Sequence, residues 1–208
     1  MSVKTLIADG VAALGLPLSA KQNELLEKYV ALLHRWNKAF NLTAVREPEE
    51  MVVRHLLDSL AVSPWIVDGE LLDIGTGAGL PGIPLAIAHP GLQVTMLDSN
   101  GKKTRFVKQA ILELGLPNAT VVQSRVEQYR NAFPQVTTRA FAALPDIVAL
   151  AAERVAPGGR LLALKSAITD IEMAGLQAPW QVERHQLTVP FLDEQRQLLV
   201  LAREGESK

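Results

Sequence analysis

The segment Leu71-Leu72-Asp73-Ile74-Gly75-Thr76-Gly77-Ala78-Gly79-Leu80-Pro81-Gly82 carries the densest set of chemically suggestive residues in the chain. An apolar run enters a glycine-rich turn, and Pro81 or Pro84 falls in the first turn of a following helix. Such a loop, at the carboxyl end of a first parallel strand, is where a doubly wound sheet holds a nucleotide cofactor. Gly77, Gly79 and Gly82 satisfy the spacing G-x-G-x-x-G. On its own that match is a weak signal, because a tight strand-to-helix turn without a ligand uses the same residues.

Two carboxylates narrow the choice. Asp73 lies at the predicted strand end, two residues before Gly75. A pyrophosphate is repelled by a carboxylate there, whereas the sulfonium and ammonium of S-adenosylmethionine are attracted. Asp98 ends the next predicted strand, 23 residues beyond Gly75. That is close to the roughly 20-residue spacing at which an acidic side chain meets the cofactor ribose. Asp73, Gly75, Thr76, Gly77, Gly79, Leu80, Asp98 and Ser99 form the candidate cofactor set in these two segments. Together they point to a class I methyltransferase.

The acceptor is approached by exclusion. The chain has no cysteine, so methylation of a pyrimidine carbon through a thiolate adduct is closed. The Asn/Asp-Pro-Pro-aromatic turn used for exocyclic amines is absent after the fourth predicted strand, which reads Thr137-Thr138-Arg139-Ala140-Phe141. His34, His55, His89 and His185 all fall outside the predicted carboxyl-end loops, so none is placed as a general base for oxygen methylation. What remains is an atom with a free lone pair, such as guanine N7, for which catalysis is mainly orientation. Arg139 stays protonated and can only position, on the cofactor or on the base edge away from N7. Its replacement is expected to leave stability nearly unchanged.

The elements that must hold these residues fall into two halves. Over the first 65 residues the apolar spacing is helical. Ser19 caps a segment from Ala20 to Phe40, and Glu47-Pro48-Glu49-Glu50 opens a second helix that Pro64 ends. After Gly69, strands are predicted at Leu71–Ile74, Gln93–Leu97, Thr120–Gln123, Thr137–Phe141 and Arg160–Lys165. Helices are predicted to start near Pro81, Gly101, Arg125 and Pro145. This alternation describes a parallel sheet covered on both faces. Val182–Val189 and Leu198–Arg203 read as an antiparallel hairpin on the sheet edge, and the last five residues as frayed. The expected architecture is α/β: a Rossmann-like, mostly parallel seven-stranded sheet at 66–208 with a helical extension at 1–65.

Composition limits the remaining classes. In 208 residues, 21 Lys and Arg balance 22 Asp and Glu, which excludes nucleic-acid binding by bulk charge. Hydrophobic content of 48% supports a globular core rather than disorder. No run approaches the ~20 apolar residues of a membrane span, and Met1 to Leu18 reads as mature protein rather than a signal peptide. The absence of cysteine suits a reducing cytoplasm, and no metal site is expected. Residues 71–100 hold no Lys or Arg, whereas 101–130 hold six, including Lys102, Lys103 and Arg105. Arg46, Arg54 and His55 add positive character nearby, and this local basic rim suits a structured RNA.

Several blocks resemble one bacterial family. They are Trp36-Asn37-Lys38-Ala39-Phe40-Asn41-Leu42-Thr43, Arg54-His55-Leu56-Leu57-Asp58-Ser59, the glycine segment and Leu97-Asp98-Ser99. Gln123-Ser124-Arg125-Val126-Glu127, Thr138-Arg139-Ala140-Phe141 and Ala163-Leu164-Lys165 extend the likeness along the whole chain. The family is the small-subunit ribosomal RNA methyltransferase G family, also called glucose-inhibited division protein B. The resemblance implies a cytoplasmic enzyme, expected to be a monomer, that moves a methyl group from S-adenosylmethionine to N7 of one guanine in the 530 loop of 16S rRNA. It carries cofactor contacts onto Gly75, Leu80, Val126, Glu127 and Arg139, while Lys165 joins the basic rim of Arg46, Arg54, His55, Lys102, Lys103 and Arg105 as the expected RNA-binding set. Two other classes stay open: a nicotinamide-dependent oxidoreductase, and an rRNA-binding assembly factor without chemistry.

Overall fold

Ser19 starts the longest helix as its chemistry suggests: its hydroxyl accepts the Gln22 N–H, and the Gln22 side chain accepts the Ser19 N–H in return. In the computed structural model, which describes residues 1–139, 143–166, 168–174, 176 and 180–203, this helix, α2, spans Ala20–Phe40 and follows α1, Val3–Ala13. Leu26, Tyr29, Val30, Leu32 and Leu33 form its buried face. The next helical segment is not uniform. α3 (Pro48–Met51) passes through a π-helical stretch, Val52–Leu57, into α4 (Asp58–Leu60). Arg54 and His55 sit on that widened stretch, a kind of irregularity that recurs at functional sites.

The sheet has the order β3-β2-β1-β4-β5-β7-β6. Its strands are β1 (Gly69–Ile74), β2 (Leu92–Asp98), β3 (Ala119–Gln123), β4 (Phe133–Arg139), β5 (Val155–Lys165), β6 (Trp180–Leu187) and β7 (Arg196–Arg203). The first five run parallel. β7 lies antiparallel between β5 and β6. Helices α5 (Gly82–Ala88), α6 (Gly101–Leu114) and α7 (Leu144–Ala151) make the crossovers, and a short α8 (Asp170–Ala174) follows β5. The N-terminal helices bury Leu6, Leu26, Leu33, Met51 and Leu60 in one apolar cluster with Leu71 and Val94 of the sheet and Ile83 of α5. A second cluster, with Leu72, Val136, Ile147 and Leu161, fills the opposite face. Both faces of the sheet are thus covered, as continuous apolar strands require.

Three local expectations change. The helix predicted near Arg125 is a single 3-10 turn, Val126–Gln128, in a segment too polar to bury a helical stripe. β5 begins at Val155 rather than Arg160, because Gly158, at a φ of 73°, lets the strand continue through an irregular register beside β4. β4 likewise begins at Phe133 rather than Thr137. Ala140, Phe141 and the last five residues lie outside the described residues.

Candidate active site

The chain leaves β1 at Ile74 and folds over the end of β2. The N–H groups of Gly75 and Thr76 donate to the Leu97 carbonyl at 2.8 and 3.1 Å, and those of Gly79 and Leu80 donate to the Thr76 carbonyl at 3.0 and 2.8 Å. The Gly77 N–H donates to Asp98 Oδ2 at 2.9 Å. Gly77 has a φ of 58°, in the left-handed region, and a Cβ there would have only the Gly75 carbonyl and Lys103 Nζ within 4.0 Å, so the crown of the loop is open. Gly82 serves packing instead: a Cβ would lie 2.5 Å from Met96 Cγ and 2.8 Å from Asp73 Oδ2, so only glycine lets α5 close onto the sheet.

Asp73 departs from expectation. It is fully buried under the loop, where Oδ2 accepts the Thr76 hydroxyl at 2.6 Å and the Gly82 N–H at 2.9 Å. Its Oδ1 has no hydrogen-bond partner among the described residues. Burial outweighs those bonds and pushes the carboxyl up to about 7. Asp73 therefore braces the loop from below rather than presenting an open charge to a ligand. From the far side, the Tyr29 hydroxyl donates to the Ala78 carbonyl at 2.7 Å, so α2 holds the same loop.

A cavity of about 420 Å³ opens beside this loop, within the usual range of small-molecule sites. Gly75, Asp98, Ser99, Val126 and Glu127 line it, as does the apolar pair Ile74 and Leu97. Thr76 and Leu80 are buried, and neither they nor Gly79 line the cavity. Each Asp98 oxygen accepts one backbone N–H, from Gly77 at 2.9 Å and from Asn100 at 2.8 Å. Each keeps lone-pair capacity for a hydroxyl. The loop N–H groups of Gly75, Thr76, Gly77, Gly79 and Leu80, which could otherwise cradle a pyrophosphate, are already spent inside the protein. Asp98 beside apolar walls fits the ribose hydroxyls of S-adenosylmethionine, and the spent N–H groups leave few donors for the pyrophosphate of a dinucleotide.

A second cavity of about 390 Å³ lies at the carboxyl ends of β4 and β5. Arg54, His55, Asp58, Arg139, Lys165, Glu194 and Arg196 line it. Arg139 does not reach the first cavity. Its guanidinium donates to Asp58 Oδ2 at 3.0 Å and to the Arg54 carbonyl at 3.1 Å. Arg196 donates to the other Asp58 oxygen at 3.1 Å. Asp58, nearly buried on α4, thus clasps arginines from β4 and β7. Arg54 pairs with Glu194 at 2.7 Å, and Lys165 pairs with Glu172.

His55 also corrects an expectation: it lies at the carboxyl edge of the sheet, because the N-terminal helices fold over it. Its Nδ1 lies 3.0 Å from the Arg54 carbonyl, and its Nε2 lies 2.7 Å from the Thr43 hydroxyl. Nδ1 also lies 3.4 Å from the Arg139 guanidinium, which only donates; the shorter contact, to a carbonyl that only accepts, assigns the proton to Nδ1 and the acceptor role to Nε2. Burial, with the Arg139 charge beside it, holds the ring down to about 4. It is neutral, with both nitrogens engaged.

The basic rim therefore divides three ways. Arg46, Lys102 and Arg105 are exposed; Arg54, His55 and Lys165 belong to the second cavity; Lys103 lines the first. Sequence reasoning missed Asp58 and Arg196, which meet across a separation of 138 residues. The only signal for Asp58 was its place in the Arg54–Ser59 block, and for Arg196 there was none.

The family described as rRNA small subunit methyltransferase G matches residues 22–200. Among curated proteins, the ribosomal RNA small subunit methyltransferase G of Marinobacter nauticus is 51% identical over 200 residues, covering 95% of this chain and 94% of that one. The protein of the same name from Shewanella amazonensis is 48% identical, covering 95% and 97%. Among solved structures, the N-methyltransferase NodS from Bradyrhizobium japonicum in complex with S-adenosyl-L-homocysteine aligns with a TM-score of 0.53 at 15% identity, covering 85% of this chain and 98% of that one. A ribosomal protein L11 methylase from Lactobacillus delbrueckii aligns at 0.54 and 14%, covering 71% and 77%. The solved structures speak for the methyltransferase fold alone. The match along nearly the full chain, at about half identity, establishes that this chain belongs to the rRNA small subunit methyltransferase G family.

Proposed function

We propose that the chain transfers a methyl group from S-adenosylmethionine to N7 of one guanine in the 530 loop of 16S rRNA, in the small ribosomal subunit. The observation that carries this reading is the adjacency of the two cavities, at the carboxyl ends of the neighbouring strands β1 and β4. One is walled for a cofactor and the other is rich in arginine.

When bound, S-adenosylmethionine supplies an electrophilic methyl group. Asp98 accepts hydroxyl hydrogens from the ribose, while Val126 and Glu127 flank the same cavity. Gly77, Gly79, Leu80 and Thr76 shape the loop that Asp73 and Tyr29 brace. Arg139 and Arg196, held by Asp58, orient the guanine through edges away from N7. A guanidinium at N7 itself would oppose the positive charge that methylation places on the ring. Guanine N7 carries no proton, so no base is needed, and neutral His55 is free to serve position alone. Arg46, Lys102 and Arg105 contact phosphates outside the cavities. The enzyme acts as a cytoplasmic monomer. The boundary near residue 65 is a change of architecture rather than of folding unit, since the helices share the sheet's core.

The reading is tested by binding and by incorporation. Calorimetry should detect S-adenosylmethionine and not NADH; the reverse result would restore the oxidoreductase. Labelled methyl should enter 16S rRNA in at least one of three substrates: protein-free rRNA, an assembly intermediate or the small subunit. No incorporation in any of them would leave only a binding factor.

A further inference from the structure

The loop between β6 and β7 holds an aromatic residue against its conformational preference. The Leu192 N–H donates to the Val189 carbonyl at 3.2 Å, closing a four-residue turn with Pro190 second and Phe191 third. Phe191 has a φ of 65°. A positive φ at the third turn position ordinarily selects glycine or asparagine. The flanking residues explain why the turn persists: Val189 is buried and Leu192 packs on the core, so both anchors point inward. Phe191 points away, 53% exposed, and makes no ring contact among the described residues. Folding gains little from a phenylalanine here, and strain of this kind concentrates at functional positions.

The chain returns to the arginine-rich cavity three residues later. Glu194, three residues on, lines the arginine-rich cavity and pairs with Arg54 at 2.7 Å and Arg196 at 3.1 Å. Phe191 does not itself line that cavity, but three residues span at most about 11 Å, which keeps it within that reach of a lining residue. Four cations line the cavity against two carboxylates, Asp58 and Glu194. An exposed ring beside such a cavity matches unpaired RNA, whose splayed bases stack on aromatic side chains while cations meet the backbone.

We propose that Phe191 is a stacking platform for an unpaired rRNA base beside the target guanine. The inference rests on the rRNA-methyltransferase reading above and adds a second point of contact to it.

The test uses Phe191→Gly and Phe191→Trp in the full chain. Glycine suits the positive φ, so its melting temperature should not fall. KM for small subunits, and Kd for protein-free 16S rRNA, should rise roughly 5- to 150-fold, the factor equivalent to the loss of one stacked base. Calorimetric affinity for S-adenosylmethionine and the salt dependence of RNA binding should not change, since no charge is removed. Phe191→Trp should stay within about twofold of wild type, because any aromatic face stacks. Wild-type RNA affinity in the glycine variant would overturn the proposal, as would a tryptophan variant as weak as the glycine one. A KM increase on subunits with unchanged affinity for protein-free rRNA would overturn it in favour of a ribosomal-protein contact. If wild-type protein transfers no methyl group, the activity reading fails separately, and the affinities for protein-free rRNA still decide the role of Phe191.

Discussion

In the proposed reading Asp98 does two jobs with one carboxylate. Its oxygens anchor Gly77 and Asn100, and their remaining lone pairs face the cofactor cavity. Asp98→Ala should weaken S-adenosylmethionine binding by about 1.5–3 kcal/mol, measured by calorimetry; unchanged affinity would remove Asp98 from the ribose. Arg139 carries a structural load that its sequence position does not reveal. Nothing near Arg139 in the chain announces Asp58, which is brought to it only when α4 docks on the sheet edge. Its replacement therefore cannot be neutral for folding: Arg139→Ala should cost up to about 3 kcal/mol by urea denaturation, moderated by the Arg196 bond that Asp58 retains. Arg139→Lys should recover much of that stability and little of the turnover, because an ammonium cannot reproduce a planar fork. Wild-type turnover in the lysine variant would mean that charge alone suffices. Two buried titratable groups, Asp73 and His55, give opposite pH signatures. Asp73 is raised from 3.8 to about 7, so the native state binds more protons than the unfolded chain in that interval and stability falls as pH rises through it. His55 is lowered from 6.5 to about 4, so its contribution falls as pH drops through that interval. Asp73→Asn should gain stability relative to wild type as pH rises from 4 to 7, by at most about 1.4 kcal/mol per pH unit. A pH-independent difference would contradict the burial of an ionisable Asp73.

Elements differ in how much of themselves they write into the sequence. The helix from Ala20 to Phe40 was legible to its ends, since Ser19 and the apolar spacing act locally. The cores of the five parallel strands and the terminal hairpin were legible for the same reason. Pro157-Gly158-Gly159 hid the start of β5, because a glycine pair that normally ends a strand here carries it through an irregular register. The glycine loop gave the cofactor side of the site, while the acceptor side needed the helix-to-sheet docking that no local pattern encodes. The first turn of α6 tests this division. Lys102 and Arg105 are exposed, whereas Lys103 lines the cofactor cavity with its Nζ 4.0 Å from the position of a Gly77 Cβ. Charge reversal at Lys102 or Arg105 should leave cofactor affinity intact and reduce the log–log salt slope of RNA binding by about one unit each. Reversal at Lys103 should weaken cofactor binding itself. Equal behaviour of the three would place Lys103 on the RNA rim with the others.

At the scale of the whole molecule, the N-terminal helices are what turn a cofactor-binding sheet into a two-cavity enzyme. α2 braces the glycine loop through Tyr29, and the helical segment after Pro48 brings Arg54, His55 and Asp58 over the ends of β4 and β5. Both cavities then open on one edge of the sheet, which is the geometry a direct methyl transfer between two bound molecules needs. No helix of the described residues is long and apolar enough to cross a membrane, and no metal-binding group is found among them. In the proposed reaction this edge presents guanine N7, and no other atom, to the methyl donor. Nucleoside analysis of 16S rRNA after incubation with the protein and labelled S-adenosylmethionine measures it directly. A single labelled product, 7-methylguanosine, is expected from one position in the 530 loop. Label on a guanine exocyclic atom, on a ribose oxygen or on another base would contradict it.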